Sequence, residues 1–247
     1  MHKRHPLAYV LPAQLKRIIH KHMHALAHRF YAAPHPELNL RDAKARGFCP
    51  RTILDIGGYK GDWARTAHEI WPDAEITIFE ANEEREPALK AAATAIGGTY
   101  HIGLLGAEDG VEVPFTVLDS GSSVFEPRNS FARTQTTKTL KTVDTLMADL
   151  PRVDFMKLDT QGYELEILRG ASRLMPTAQA ILLEVAFLEI NKGGPLLHDV
   201  TAFMKERGFV AYDVVEIHPR LKDRATGRID LMFVPEDSPL IADKSYD

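Results

Sequence analysis

Residues 153–162 read Val-Asp-Phe-Met-Lys-Leu-Asp-Thr-Gln-Gly, an apolar run interrupted by charge. A central strand of a parallel sheet is buried on both faces, so Lys157 and Asp159 need an explanation there. Alternation with period two puts both on one face. Asp159 falls at the carboxyl end of the run, the edge where open α/β sheets bind ligands. Residues 180–187 repeat the anomaly, with Glu184 the lone charge in an apolar run. Read structurally, Lys157 pairs with Asp159 or Glu184 and ties two strands together, although buried ion pairs contribute little net stability. Read chemically, Asp159 and Glu184 converge on a substrate pocket with Lys157 in support. A hydroxyl is a poor nucleophile until its proton is leaving, and a carboxylate can take that proton as general base. Two carboxylates could instead hold a divalent cation that lowers the hydroxyl pKa. With only two or three oxygen ligands identifiable, the base reading is favoured and no metal-ligand set is assigned.

A second constellation precedes these strands. Asp55, Gly57, Gly58 and Gly61 lie in the turn between a β-branched run at 52–56 and a helical segment. Such turns need glycine where φ is positive or where a ligand approaches closer than a Cβ permits. Glu80 ends the next strand, 25 residues beyond Asp55, where a carboxylate can accept both hydroxyls of an adenosine ribose. The spacing of the glycines departs from the G-x-G-x-x-G order that suits a dinucleotide pyrophosphate. A sulfonium nucleoside carries an amino-acid tail and no phosphate, so an acid at the turn suits it better than NAD. Asp55 is therefore expected to meet the amino group of the tail. Ser122 and Ser123, in a Ser/Gly stretch at 120–123, are candidates to line the same cavity.

The elements that must position these residues follow from the alternation of strand-like and helical runs. Strands are expected at 52–56, 75–79, 100–105, 153–158 and 181–187. Helices are expected at 63–71, 84–96, 143–150, 164–175 and 196–207. Residues 111–118 read as an inserted extended segment. Two late strands, 210–217 and 228–234, have no helix between them and read as an antiparallel edge hairpin. The expected fold is α/β: a seven-stranded, mostly parallel sheet with helices on both faces and an N-terminal helical extension. The extension covers 1–46 and the catalytic domain 47–247. Within the extension an amphipathic helix spans 12–30, and a linker through Asn39 and Arg41 follows.

The 247 residues carry a net charge of −4, which gives no global basic field for nucleic acid. One cysteine, Cys49, excludes an internal disulfide framework and a cysteine-rich zinc site. No apolar stretch is long enough to span a bilayer, and no signal-peptide cleavage pattern follows the N-terminal apolar run. The chain is expected in the cytoplasm.

Several blocks resemble the FkbM family of S-adenosylmethionine-dependent methyltransferases. They are residues 54–61 (Leu-Asp-Ile-Gly-Gly-Tyr-Lys-Gly), 78–82 (Ile-Phe-Glu-Ala-Asn), 121–124, 142–146, 154–171, 183–185 and 230–234. The resemblance covers roughly 51–234, and the block at 154–171 is its most specific part. It implies a Rossmann-like class I methyltransferase fold, S-adenosylmethionine as cofactor, and O-methylation of a sugar, polyketide or other secondary metabolite. It implies that Asp55, Gly57 and Glu80 contact the cofactor and that Asp159 faces the substrate; Gly58, Gly61, Ala81, Asn82 and Ser122 are further candidates for the cofactor site. The family more often has Asn or Ala where this chain has Gly58, Tyr59 and Lys60.

Weaker signals complete the reading. His20, His24 and His28 recur at i, i+4, as two metal ligands would; a solvated polar face opposite the packed apolar stripe is the expectation, with the helix serving as a lid or a contact between two copies. Asp144 is expected to cap or orient a helix, and Trp63 to pack in the core. Two rivals remain beside an O-methyltransferase: an NAD-dependent oxidoreductase, and a non-catalytic subunit that keeps the cofactor site.

Overall fold

The computed structural model describes residues 13–117, 123–125 and 134–245. Its centre is a seven-stranded sheet. Strands β1 (Thr52–Ile56), β2 (Glu75–Glu80) and β3 (Thr99–Ile102) form one half. β7 (Phe155–Leu158), β8 (Ala180–Ala186), β9 (Phe209–Pro219) and β10 (Thr226–Pro235) form the other, in the order β3-β2-β1-β7-β8-β10-β9. The five strands from β3 across to β8 run parallel, and β10 is antiparallel to both β8 and β9. This is the expected class I methyltransferase sheet with its antiparallel edge.

Each face of the sheet buries its own apolar layer. Leu54, Ile56, Met156, Leu158 and Leu183 point to the side covered by α6 (Glu164–Arg169) and α7 (Leu197–Lys205). Ile53, Ile78, Phe155 and Leu182 point to the side covered by α2 (Pro36–Ala45), α3 (Asp62–Ile70) and α4 (Glu86–Ile96). Strands buried on both sides read as continuous apolar runs, so a charge within them stands out. Trp63 packs against Phe155, with ring centroids 5.7 Å apart.

Four local expectations change. The segment expected to be a linker is α2: His35 caps it, and Leu40 and Ala43 are buried in the main core beneath it. Asn39 Nδ2 donates to Asp213 on β9 at 3.2 Å. Secondly, the expected third strand breaks at Gly103, whose N–H donates to the Glu80 carbonyl. Beyond it, β4 (Leu104–Leu105) leaves the main sheet for a small second sheet, β4-β6-β5, built with β5 (Glu112–Val117) and β6 (Thr134–Lys141). Thirdly, the expected helix at 143–150 is a single turn, α5 (Val143–Leu146), capped by Thr142. Finally, Asp144 accepts the backbone N–H groups of Arg173 and Leu174 instead of capping that turn.

Before α2 lies α1 (Ala13–Tyr31). Its His28 lies 2.8 Å from Asp42 of α2 through one ring nitrogen and 3.0 Å from the Ala33 carbonyl through the other.

Candidate active site

The turn after β1 is shaped first by packing. A Cβ on Gly57 would lie 1.9 Å from the Asp159 carbonyl oxygen, so only glycine lets β1 and β7 end side by side here. A Cβ on Gly58 would lie 2.2 Å from Ile78, and one on Gly61 2.3 Å from Ala92. Those two glycines seat the turn on β2 and α4. Gly57 lines the adjoining cavity, whereas Gly58 and Gly61 face Ile78 and Ala92.

Asp55 is placed by the same packing. Its side chain is wholly buried behind the turn, with Lys157 Nζ 3.2 Å from Oδ1. The same ammonium donates to the Gly57 carbonyl at 3.2 Å and lies 3.9 Å from Asp159. β1 and β7 pair in a register that sets Asp55 opposite Lys157, so the two meet inside the sheet layer. Burial works against the Lys157 charge, but Asp55 and Asp159 outweigh it and hold the ammonium above the ordinary lysine range. Lys157 therefore acts as a strut beneath the turn, outside the cavity wall.

In front of the turn lies a cavity of about 230 Å³. Its walls are largely apolar, with Phe79, Leu104, Leu105 and Phe115 among them, and it holds two carboxylates, Glu80 and Asp159. Glu80 accepts the backbone N–H groups of Tyr59 at 2.9 Å and Asn82 at 2.7 Å, one on each oxygen. Each oxygen keeps a second lone pair for a ligand. Burial pushes the Glu80 carboxyl up, against the pull of these two N–H groups. Ala81 and Asn82 line the same end. Asn82 is buried, and its Nδ2 has no hydrogen-bond partner among the described residues. Ser122 lies outside the described residues; Ser123 lines the cavity and donates to the Gln161 carbonyl at 3.0 Å.

Asp159 stands at the far end of the cavity with its side chain 40% exposed. It does not pair directly with Glu184. Gln161, which no strand or turn signal singles out, stands between them: Nε2 donates to Asp159 and to Glu184, each at 2.9 Å. Its Oε1 accepts from Arg228 at 2.9 Å, and Arg228 also pairs with Glu184 at 2.7 Å. Gln161 holds φ at +57°, a conformation a non-glycine residue seldom adopts. The residue lines both the main cavity and a smaller one bounded by Glu184, Asn191 and Arg228. Burial, followed by Asp159, pushes the Glu184 carboxyl well above the usual carboxylate range. Beyond it, His218 lies 3.0 Å from Asp230. Oxygen and nitrogen atoms of Glu184, His218 and Asp230 come within 4.8 Å of one another, so these three, rather than Asp159 with Glu184, form the group whose spacing suits a cation.

The family model of the methyltransferase FkbM domain matches residues 55–211. The chain belongs to the FkbM methyltransferase family. Among solved structures, this chain is similar to the FkbM methyltransferase of Methylobacillus flagellatus KT, at 14% identity and a TM-score of 0.49. The match covers 73% of this chain but 43% of that one, so the chain spans less than half of that relative's length. It is also similar to the Methanococcus jannaschii fibrillarin pre-rRNA processing protein, at 14% identity, a TM-score of 0.50, and coverage of 77% and 68%. The precorrin-6y C5,15-methyltransferase of Geobacter metallireducens GS-15 matches at 13% identity and a TM-score of 0.45, covering 79% of this chain and 86% of that one. No curated protein matches the sequence.

Membership of this family implies S-adenosylmethionine as the cofactor. The cavity's chemistry fits that nucleoside. Glu80 presents free lone pairs to hydroxyl groups, and the orphaned amide of Asn82 presents a buried donor to an acceptor atom. A buried donor left unpaired costs about 1–3 kcal/mol, which a ligand accepting from Nδ2 recovers.

Proposed function

We propose that the protein transfers a methyl group from S-adenosylmethionine to a hydroxyl oxygen of a small molecule, in the class of sugars, polyketides and other secondary metabolites. The observation that carries this reading is the placement of Asp159: a partly exposed carboxylate at the strand end, in the wall of the cavity, fixed by a glutamine that also faces the neighbouring acidic group.

The cofactor supplies an electrophilic methyl on a sulfonium. Glu80 would accept the ribose hydroxyls, and Asn82 would donate to the nucleoside. Gly57, which lines the cavity, would border the cofactor. Asp159 then accepts the proton as the acceptor oxygen bonds to the methyl carbon and the carbon–sulfur bond breaks. Gln161 ties up Oδ1 of Asp159; Oδ2, 3.9 Å from the Lys157 ammonium, would take the acceptor's proton. Lys157 and Glu184 act through other groups: Lys157 fixes the Gly57 carbonyl, and Glu184 anchors Gln161. Both are positioning residues.

The test joins calorimetric titration of S-adenosylmethionine with an acceptor screen read by S-adenosylhomocysteine release. Glu80→Ala should weaken cofactor binding by about 10- to 100-fold, in line with loss of charge-assisted hydrogen bonds worth about 1.5–3 kcal/mol. Asp159→Asn should keep cofactor affinity within a few-fold and lower turnover by about 10²- to 10⁴-fold. Full turnover in Asp159→Asn would remove its role as base, and transfer to nitrogen or carbon acceptors alone would overturn the hydroxyl reading.

A further inference from the structure

Over residues 22–31, helix α1 turns its apolar side away from the rest of the chain. Its apolar stripe includes Met23, Leu26 and Phe30, spaced three and four residues apart, and such a stripe ordinarily faces the core. Here these three are 63%, 54% and 68% exposed. The face turned to the rest of the chain instead carries His24 and His28: the His24 ring lies 5.3 Å from that of His35, and His28 meets Asp42 and the Ala33 carbonyl. This reverses the expectation from sequence, which puts the histidines in solvent and packs the apolar stripe. Tyr31, at the end of the helix, is also exposed.

Charge identifies what covers the stripe. Residues 1–31 contain Lys3, Arg4, Lys16, Arg17, Lys21 and Arg29 and not one Asp or Glu, a formal charge of +6. The remaining 216 residues carry −10. A helix with apolar and aromatic side chains along one side, polar residues elsewhere, and lysine and arginine without any acid has the features of one that lies in a membrane interface. A second copy fits poorly, because it would set two acid-free +6 segments against each other. No helix of the described residues is long and apolar enough to cross a membrane, so the attachment is to the surface.

We infer that α1 binds the surface of an anionic lipid bilayer through Met23, Leu26 and Phe30, with the positive charge of the segment drawn to the headgroups. Each lysine or arginine close to such a surface adds about 1 kcal/mol, roughly fivefold in partitioning.

The full-length protein should sediment with vesicles of phosphatidylcholine containing about 30% phosphatidylglycerol and remain in solution with phosphatidylcholine alone. Leu26→Glu with Phe30→Glu should lower vesicle binding by more than about tenfold, and Lys16→Glu with Lys21→Glu should do the same. Both pairs should bind S-adenosylmethionine as wild type does, so failure of lipid binding is read separately from failure of the methyltransferase reading. The inference falls if neither vesicle is bound, if both are bound equally, or if the Leu26 and Phe30 changes leave anionic binding intact. It also falls if sedimentation equilibrium shows a dimer that those two changes dissolve, which would give the stripe to a second copy.

Discussion

Replacing Lys157 with methionine keeps most of the side chain's length and removes its charge, leaving Asp55 wholly buried with its cation gone. Breaking a buried pair from one side costs about 3–5 kcal/mol, since the surviving charge must be neutralised in place or drag water inward. For a chain of this size each kcal/mol lowers Tm by about 2–4 °C, so Lys157→Met should melt about 6–20 °C below wild type. The double variant Asp55→Asn with Lys157→Met removes both charges. It should recover most of the loss, because replacing a buried pair outright is close to neutral. Some deficit should persist, since Lys157 also donates to the Gly57 carbonyl. Thermal and urea unfolding followed by circular dichroism on wild type, both single variants and the double variant closes the cycle. A Lys157→Met variant within about 1 kcal/mol of wild type would refute the strut, as would a double variant whose loss equals the sum of the single losses.

Two pH-dependent outcomes follow from the acidic group beyond Gln161. The hydrogen bond to Asp230 raises the His218 pKa above its ordinary value against the effect of burial, helped by the Asp230 and Glu216 charges. The stability gained from the charged imidazole is therefore complete below the unfolded-state pKa of about 6.5 and is lost as pH rises through the raised folded-state value. His218→Asn should melt below wild type at about pH 5.5, by no more than about 1 kcal/mol at this half-exposed site, and the gap should shrink as pH rises through the raised value; a gap that widens with pH overturns the assignment. Glu184 has the same sign of shift but a different cause, burial followed by the Asp159 charge. Its protonated form stabilises the fold below the ordinary carboxylate pKa, and that contribution fades as pH rises through the raised value. Glu184→Gln, neutral throughout, should gain on wild type in melting temperature from about pH 5 upward, and a constant difference across that range would count against a raised carboxyl.

Much of the frame can be read from the chain because its signals are local. Apolar runs at β1, β2, β7 and β8 are short and bounded by turn residues, and Asp159 and Glu184 stand out at or inside them as charges among apolar neighbours. Strand β6 carries no such signal: Thr-Gln-Thr-Thr-Lys-Thr-Leu-Lys has only Leu140 buried, and it holds its place through pairing with β5 and β4. α2 is hard to see because only Asn39, Leu40 and Ala43 of its ten residues are buried. The glycines show a different limit. A glycine required by Ile78 or Ala92 is indistinguishable in sequence from one required by a ligand. The partner of Asp55 is hidden for a related reason: its neighbour across the sheet is Lys157, 102 residues later, and that register is set by tertiary pairing. Gln161 escapes sequence reasoning because its backbone conformation and its partners come from separate elements.

The arrangement of the acids argues that their role is chemical. Registers across the antiparallel edge set Glu184 opposite Asp230 on β10, and Asp230 opposite Glu216 on β9. Residues directly opposite in a sheet share a face, and like charges in that relation are destabilising. Arg228 and His218 offset part of this charge, and Gln161 extends the row to Asp159 at the cavity. Stability alone would favour neutral or apolar side chains at such positions, as the opposite face of the same strands has with Leu183, Val185, Ile229 and Leu231. Under the proposed mechanism the row begins at the cavity with Asp159, and Gln161 ties the position of that carboxylate to the acidic group beyond it.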